Sequence, residues 1–200
     1  MSPWLTIALF LNLINAPQIE EIIAQCKAKG YVAPVFQGMY SPIARSDYLA
    51  HQGVLRRHSI GYYAYGATAS GLLTGKHRFD QEPKAGTRFG YASRVNGGRL
   101  FKRYWHREVF AAVDLLTEAA AKEGISLTEA MHLWLRHHSG LGEGGAVLVG
   151  VSSLKQLEQN LDDLEMDPLP AHLVDAFEKA WKVVEHLKII SISSALDKEG

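Results

Sequence analysis

The chain has 200 residues, 47% of them apolar, with 21 basic side chains against 21 acidic ones and a single cysteine. That length suits one domain with a real core, and a net charge of zero recruits neither nucleic acid nor an anionic membrane. Cys26 alone cannot form an intramolecular disulfide, which fits a reducing compartment and makes a cytoplasmic location the expectation.

The opening MSPWLTIALFLNLINA is apolar, but it lacks a basic leader and is too short to span a bilayer. Leu5–Leu13 therefore reads as a first strand. Pro17 opens a helix in which Ile19, Ile22, Ile23 and Cys26 recur at i, i+3, i+4 and i+7, until Gly30 stops it. Cys26 falls on that apolar face and reads as a buried, inert thiol. Val32–Met39 is a second strand candidate, Ser46–His58 a second helix and Gly61–Tyr65 a third strand.

The polar, glycine-bearing stretch Gly75–Gly98 reads as an excursion. Arg99–Arg107 (RLFKRYWHR) interleaves basic and aromatic residues. In a neutral protein it reads as a helix entry packing Phe101, Tyr104 and Trp105 onto the core rather than as a nucleic-acid site. Helices follow at Glu108–Lys122 and Leu127–His138, the second opened by the capping box Ser126-Leu-Thr-Glu129. Ala146–Val151 is the fourth strand, and a leucine-spaced helix comes after it. A last helix begins near Pro170, with Val174, Phe177, Trp181 and Val184 on one stripe. Strand and helix alternate four times, which predicts an α/β fold with a parallel sheet and crossover helices. One domain, 1–200, is expected, with a divergent N-terminal strand at 1–15 and a tail at 187–200.

Two stretches point to a ligand. In GVSSLKQLEQNLDDLE, Gly150–Glu165, a strand-end glycine lets a ligand approach the backbone. The hydroxyls of Ser152 and Ser153, with the free amides of the first helical turn, form an anion site at the positive end of the helix dipole. Leu154, Leu157, Leu161 and Leu164 form one helical face; Gln156, Gln159, Asn160 and Asp163 form another, expected to be the exposed one, where amides can grip a purine or ribose. Ser153-x-x-Gln156 is equally an ordinary capping box. In IGYYAYGATASGLLTGK, Ile60–Lys76, a strand ends in Tyr65 and runs into a loop whose backbone amides can cradle a pyrophosphate. The loop matches neither a Walker A motif nor the GxGxxG fingerprint. Tyr65 offers an aromatic face at the sheet's mouth or is simply a core tyrosine.

Together with PVFQGMYS (Pro34–Ser41) and WLRHHSGLGEGGAVLVGVSSLKQLEQNL (Trp134–Leu161), these stretches resemble the aldo-keto reductases, in particular the aflatoxin-aldehyde-reductase subgroup, over about Ala16 to Glu185. The resemblance implies the C-terminal half of a TIM barrel, a partial barrel of parallel strands alternating with helices that binds NADP(H) across its strand ends. A whole barrel takes about 250 residues and eight βα units, of which four strands are counted here. By resemblance, Gln37 would hold the nicotinamide carboxamide and Tyr65 would stack on the ring. Gly66, Thr68 and Ser70 would line the pyrophosphate loop, with Lys76 and Arg88 nearby. Gly150, Ser152 and Ser153 would seat the 2′-phosphate region, and Gln156, Gln159 and Asn160 the adenosine. The family's Ser-Asn pair falls at Asn12-Leu13, and the subgroup's Asn-Pro-Leu-Ala-Gly-Gly loop is Gly66-Ala67-Thr68-Ala69-Ser70-Gly71 here. The family's catalytic tetrad of Asp, Tyr, Lys and His lies in the half that the match does not include, so no catalytic residue is assigned. Tyr40, Tyr63 and Lys76 are the tyrosine and lysine side chains expected near the cleft.

His132, His137 and His138 share a helix without HExxH spacing or an accompanying carboxylate, so no metal site is expected. The implied function is NADP(H)-linked reduction of an aldehyde or ketone, with specialised metabolism as the setting. The alternatives are a non-redox half-barrel (isomerase, cyclase or dehydratase), and an inactive protein that binds NADP(H) or docks onto a partner. Half a barrel leaves open sheet edges, which a homodimer or a partner chain would cover.

Overall fold

A computed structural model describes residues 10–12, 15–85, 88–90, 98–142 and 144–190. Four parallel strands, β1 (Phe10–Asn12), β2 (Val35–Met39), β3 (Gly61–Tyr65) and β4 (Ala146–Val147), lie side by side in chain order. The helices are α1 (Ala16–Ala28), α2 (Ser46–Arg57), α3 (Arg99–Tyr104), α4 (Arg107–Lys122), α5 (Leu127–His137), α6 (Leu154–Glu165) and α7 (Ala171–Val184). A sequential parallel order with crossover helices is half of a (β/α)8 barrel. The parallel α/β expectation holds.

Local chemistry fixes most boundaries. Asn15 caps α1: its side chain accepts from the Gln18 amide at 3.0 Å while Gln18 accepts from the Asn15 amide at 2.9 Å. Ile19 and Ile23 bury the helix's inner face, and Gly30 leaves it at φ +72°. Cys26 is only half-buried. Ser126 and Glu129 make the expected reciprocal cap on α5. α4 and α7 pack against each other along their lengths, each burying one apolar stripe.

Side chains alternate across the sheet. Toward the helices, Phe36 packs on His51 of α2 at 4.9 Å and on Tyr62 at 5.7 Å between ring centroids. A Cβ at Gly38 would collide with the Tyr62 hydroxyl, which donates to the Met39 carbonyl at 3.0 Å. Tyr40 and Trp134 extend this layer, and Trp134 stacks on Phe177 of α7. The opposite face is the inner face of the half-barrel and carries Gln37, Tyr63 and Tyr65.

Several sequence expectations need correction or restriction. β2 starts at Val35, because Pro34 has no amide to give the ladder. β4 ends at Val147: one further bond, Leu148 N–H to the Ala64 carbonyl at 2.8 Å, leaves 148–151 outside the strand. Among the described residues β4 pairs only with β3, so nothing on its far side extends the ladder. Only Phe10–Asn12 of the first strand candidate is described; the rest of Leu5–Leu13 lies outside the described residues, as do 86–87 and 91–97 of the excursion and the tail from 191.

The leucine-spaced helix is the largest departure. Leu154, Leu157 and Leu161 of α6 face solvent at 70%, 37% and 55% exposure, whereas Asp163 is buried. The expected arrangement of leucines in and amides out is overturned at Asp163 and at half-buried Asn160. The cause is visible. A crossover helix covers its own strand and the next parallel strand, and β4 has no next strand among the described residues.

Candidate functional site

Because the strands are parallel, their C-terminal ends gather at one mouth. Register aligns Asn12, Gln37, Tyr63 and Ala146 in one row across β1 to β4, and Met39 with Tyr65 one step nearer the mouth. Gln37 and Tyr65 are half-buried, as a ring or amide must be to meet both sheet and ligand. Burial raises the Tyr65 hydroxyl pKa above its ordinary value; the Asp47 carboxylate adds to that and the Arg103 guanidinium opposes it. Arg103 also reaches the Met39 sulfur at 3.6 Å, beside Tyr104, whose hydroxyl donates to the same sulfur at 3.3 Å. Sequence reading missed Asp47 and Arg103 as charges acting on Tyr65. Arg103 was within view, in the basic-aromatic block whose Tyr104 is buried as expected.

The expected pyrophosphate loop turns sharply after β3. Gly66, Ala69, Ser70 and Gly71 all have positive φ, at +76°, +48°, +62° and +102°. The amides of Ala69 and Gly71 return to the Gly66 and Thr68 carbonyls at 2.8 and 2.9 Å, so these two donors serve the turn. Gly66, Thr68 and Ser70 are half-buried, whereas Lys76 and Arg88 are exposed. Left-handed backbone costs an L-residue about 1–2 kcal/mol, and Ser70 bears that cost where a glycine would not. Ser70→Gly is therefore expected to stabilise the fold by about 1 kcal/mol, visible as a shift of a few degrees in the thermal melt. An unchanged or lowered melting temperature would show that the Ser70 side chain offsets the strain.

The bend after β4 is exposed at Gly150, Ser152, Ser153, Gln156 and Gln159. Ser153 is the N-cap of α6 and accepts from the Gln156 amide at 3.3 Å. The Gln156 side chain turns back, its Oε1 accepting from the Ser152 amide and hydroxyl, both at 2.9 Å. Of the capping box Ser153-x-x-Gln156 only the Ser153 half forms, because the reciprocal half goes to Ser152 instead of the Ser153 amide. An incoming anion would compete with Gln156 for Ser152, while the Ser153 hydroxyl keeps its own proton to donate. Gln159 donates to Asp163 at 2.9 Å.

Of the side chains expected near the cleft, Tyr40 is removed. It is buried on the helix side, its hydroxyl donates to the Ser139 carbonyl at 2.6 Å, and burial drives its pKa well above the ordinary value. Tyr63 stands opposite Gln37 on β3. His132 also departs from expectation: it has a carboxylate partner, supplied by another helix. Its Nδ1 donates to Asp163 Oδ2 at 2.8 Å, with both side chains 2% exposed. His138 Nε2 accepts from the Leu169 amide at 3.2 Å, and burial, then the His137 charge, lowers its pKa. No group of three or more metal-ligating side chains occurs among the described residues. None of their helices is long and apolar enough to cross a membrane.

Comparison with known proteins agrees with this architecture. Residues 14–182 match the model of the aldo/keto reductase family. An aldo-keto reductase of Pseudocercospora fijiensis (strain CIRAD86) is 38% identical over 174 residues, which cover 84% of this chain and 57% of that protein. Human aflatoxin B1 aldehyde reductase member 2 is 38% identical over 176 residues, covering 84% of this chain and 49% of that one. The glycerol dehydrogenase of Gluconobacter oxydans shares the fold, with a TM-score of 0.63 at 20% identity over 88% of this chain and 49% of its own. The chain spans about half the length of the curated relatives it matches. It belongs to the aldo/keto reductase family.

Proposed function

We propose that the mouth of this half-barrel binds NADP(H) and serves the reduction of an aldehyde or ketone. One observation carries the reading: Tyr65, the turn at 66–71 and the serine bend at 150–153 lie at or just past the C-terminal ends of parallel strands, where this fold class places its ligands, with Gln37 one step below Tyr65 on the neighbouring strand. Bound NADPH would supply the hydride. The chain's own residues would position it, with the Gln37 amide available to a carboxamide and the half-buried Tyr65 ring available to a flat heterocycle. The residues present fit such a group, since the first turn of α6 is exposed and offers Ser153 and the positive end of a 12-residue helix to a phosphate.

A relative is named for an aldehyde reductase activity, and an aldehyde or ketone is the substrate class this mouth would take. Carbonyl reduction also needs an acid within reach of the developing alkoxide. Tyr40 is committed elsewhere, so of the tyrosines expected at the cleft Tyr63 stands beside Gln37. That commitment favours a second reading, in which this chain holds the nucleotide without completing the reduction by itself.

The test is titration with NADPH, comparing the native chain with Ser153→Glu. A carboxylate at the bend repels a 2′-phosphate, so affinity should fall tenfold or more, about 1.4 kcal/mol. Equal affinity in both proteins would refute the phosphate assignment. Binding without loss of nicotinamide absorbance across a panel of aldehydes and ketones would select the binding-only reading.

A further inference from the structure

We propose that the leucine face of α6 and the outer edge of β4 form the docking surface for β1 of a second copy of this chain, so that two copies close one eight-stranded barrel. This rests on the sheet and not on the nucleotide reading.

The apolar surface is concentrated. Leu148, Val149 and Val151 after β4 are 40%, 37% and 39% exposed, directly ahead of Leu154, Leu157 and Leu161 on α6. Lone exposed leucines are ordinary; six large apolar side chains within 14 consecutive residues are an interaction surface. Beside it, between α5, β4 and α6, lies a cavity of about 470 Å³ lined in part by Leu141, Val147, Val149 and Leu164. A neighbouring strand on the far side of β4 would run past this cavity and beneath the α6 leucines.

The geometry selects the occupant. The sheet order β1-β2-β3-β4 is sequential and parallel, so the two edges of the sheet differ and run in the same direction. Placing β1 of one copy beside β4 of another continues the parallel ladder. A two-fold axis along the barrel then repeats that contact, and the sheet closes with no edge left over. Four strands and four make the eight of a closed barrel. Among the described residues β1 has no neighbour but β2, so a partner that covered β4 alone would leave that edge open, whereas a second copy satisfies both edges with one interface. The closed assembly would carry two half-mouths facing each other.

Light scattering on the eluting 200-residue chain tests this. The expected mass is twice the 22.1 kDa of one chain. Leu154→Asp with Leu161→Asp changes two solvent-facing positions, so the far-UV circular dichroism should persist while the mass falls to one chain. A native monomer would mean that another segment of the chain covers the face, and it would overturn the proposal. So would an open-ended series of larger species, or a dimer unaffected by the aspartates. Pairing mode is read with Leu154→Cys in a Cys26→Ala background. In the closed barrel the two α6 helices stand on opposite sides, so no disulfide-linked dimer should form on oxidation. Ready cross-linking would show α6 pairing with α6 and sink the head-to-tail arrangement. NADPH affinity is measured separately, so failure here leaves the nucleotide reading standing or falling on its own test.

Discussion

Arg45→Ala is expected to lower the melting temperature by roughly 10 °C, the consequence of losing about 3–4 kcal/mol in a chain of this size. Arg45 precedes α2 and is almost fully buried, at 7% exposure. Its Nε donates to the Pro42 carbonyl at 2.9 Å and its Nη2 to the Phe177 carbonyl at 3.1 Å. Nη1 meets both oxygens of Glu178, at 2.8 and 3.0 Å. The guanidinium also lies 4.4 Å from the Trp134 ring centroid and 5.6 Å from that of Trp181. One side chain therefore joins the turn after β2 to α5 and α7. The ion pair is the smaller part of this. Glu178 is half exposed, and such pairs contribute under about 1 kcal/mol. The larger part is two carbonyls left without a donor and an aromatic cage left empty. Glu178→Ala should then cost well under 1 kcal/mol in a chemical denaturation series. Equal losses for Arg45→Ala and Glu178→Ala would show that charge, and not burial, holds the joint.

Arg45 also shows what a linear reading reaches and what it does not. Local signals were legible. The spacing of Ile19 and Ile23 with Gly30 behind them placed α1, Ser126 and Glu129 started α5, and Gly61–Tyr65 is β3 with the bounds its composition predicts. The Asn15–Gln18 cap was within reach, as it follows the same rule as Ser126–Glu129, but its Asn-Ala-Pro-Gln form went unread. Pairs such as Arg45–Glu178 and His132–Asp163 lie 133 and 31 residues apart, and periodicity carries no information about them. The orientation of α6 was illegible for another reason. Leucine spacing says that a helix has an apolar face, but only the neighbouring strand decides whether that face is covered. At the mouth, resemblance supplied residue types and positions. Whether an amide is already spent, as those of Ala69, Gly71 and Ser152 are, depends on turn geometry that the sequence does not state.

At a concentration low enough to keep one chain alone, Asp163→Ala should detach α6. With its leucines in solvent, the helix buries little apolar surface, and its inward contact centres on Asp163, 2% exposed, which accepts from His132 Nδ1 on α5 and from Gln159 on its own helix. Removing the carboxylate leaves a buried imidazole N–H without an acceptor, a cost of about 3 kcal/mol where the ranges for buried hydrogen bonds and buried pairs meet. So large a loss in a weakly buried element appears as local opening before global unfolding. Amide exchange across 154–165 should accelerate on the order of 100-fold, while β2 and β3 keep their protection. The serine bend is tethered to the same helix, so NADPH affinity should fall together with that protection. Asp163→Asn keeps an acceptor for His132 and should retain most of both. Replacing the pair outright, His132→Leu with Asp163→Leu, removes donor and acceptor together and should restore the exchange rates toward native, because no buried polar atom is then left alone. If exchange in α6 is unmoved by Asp163→Ala, the helix is held by something other than this pair.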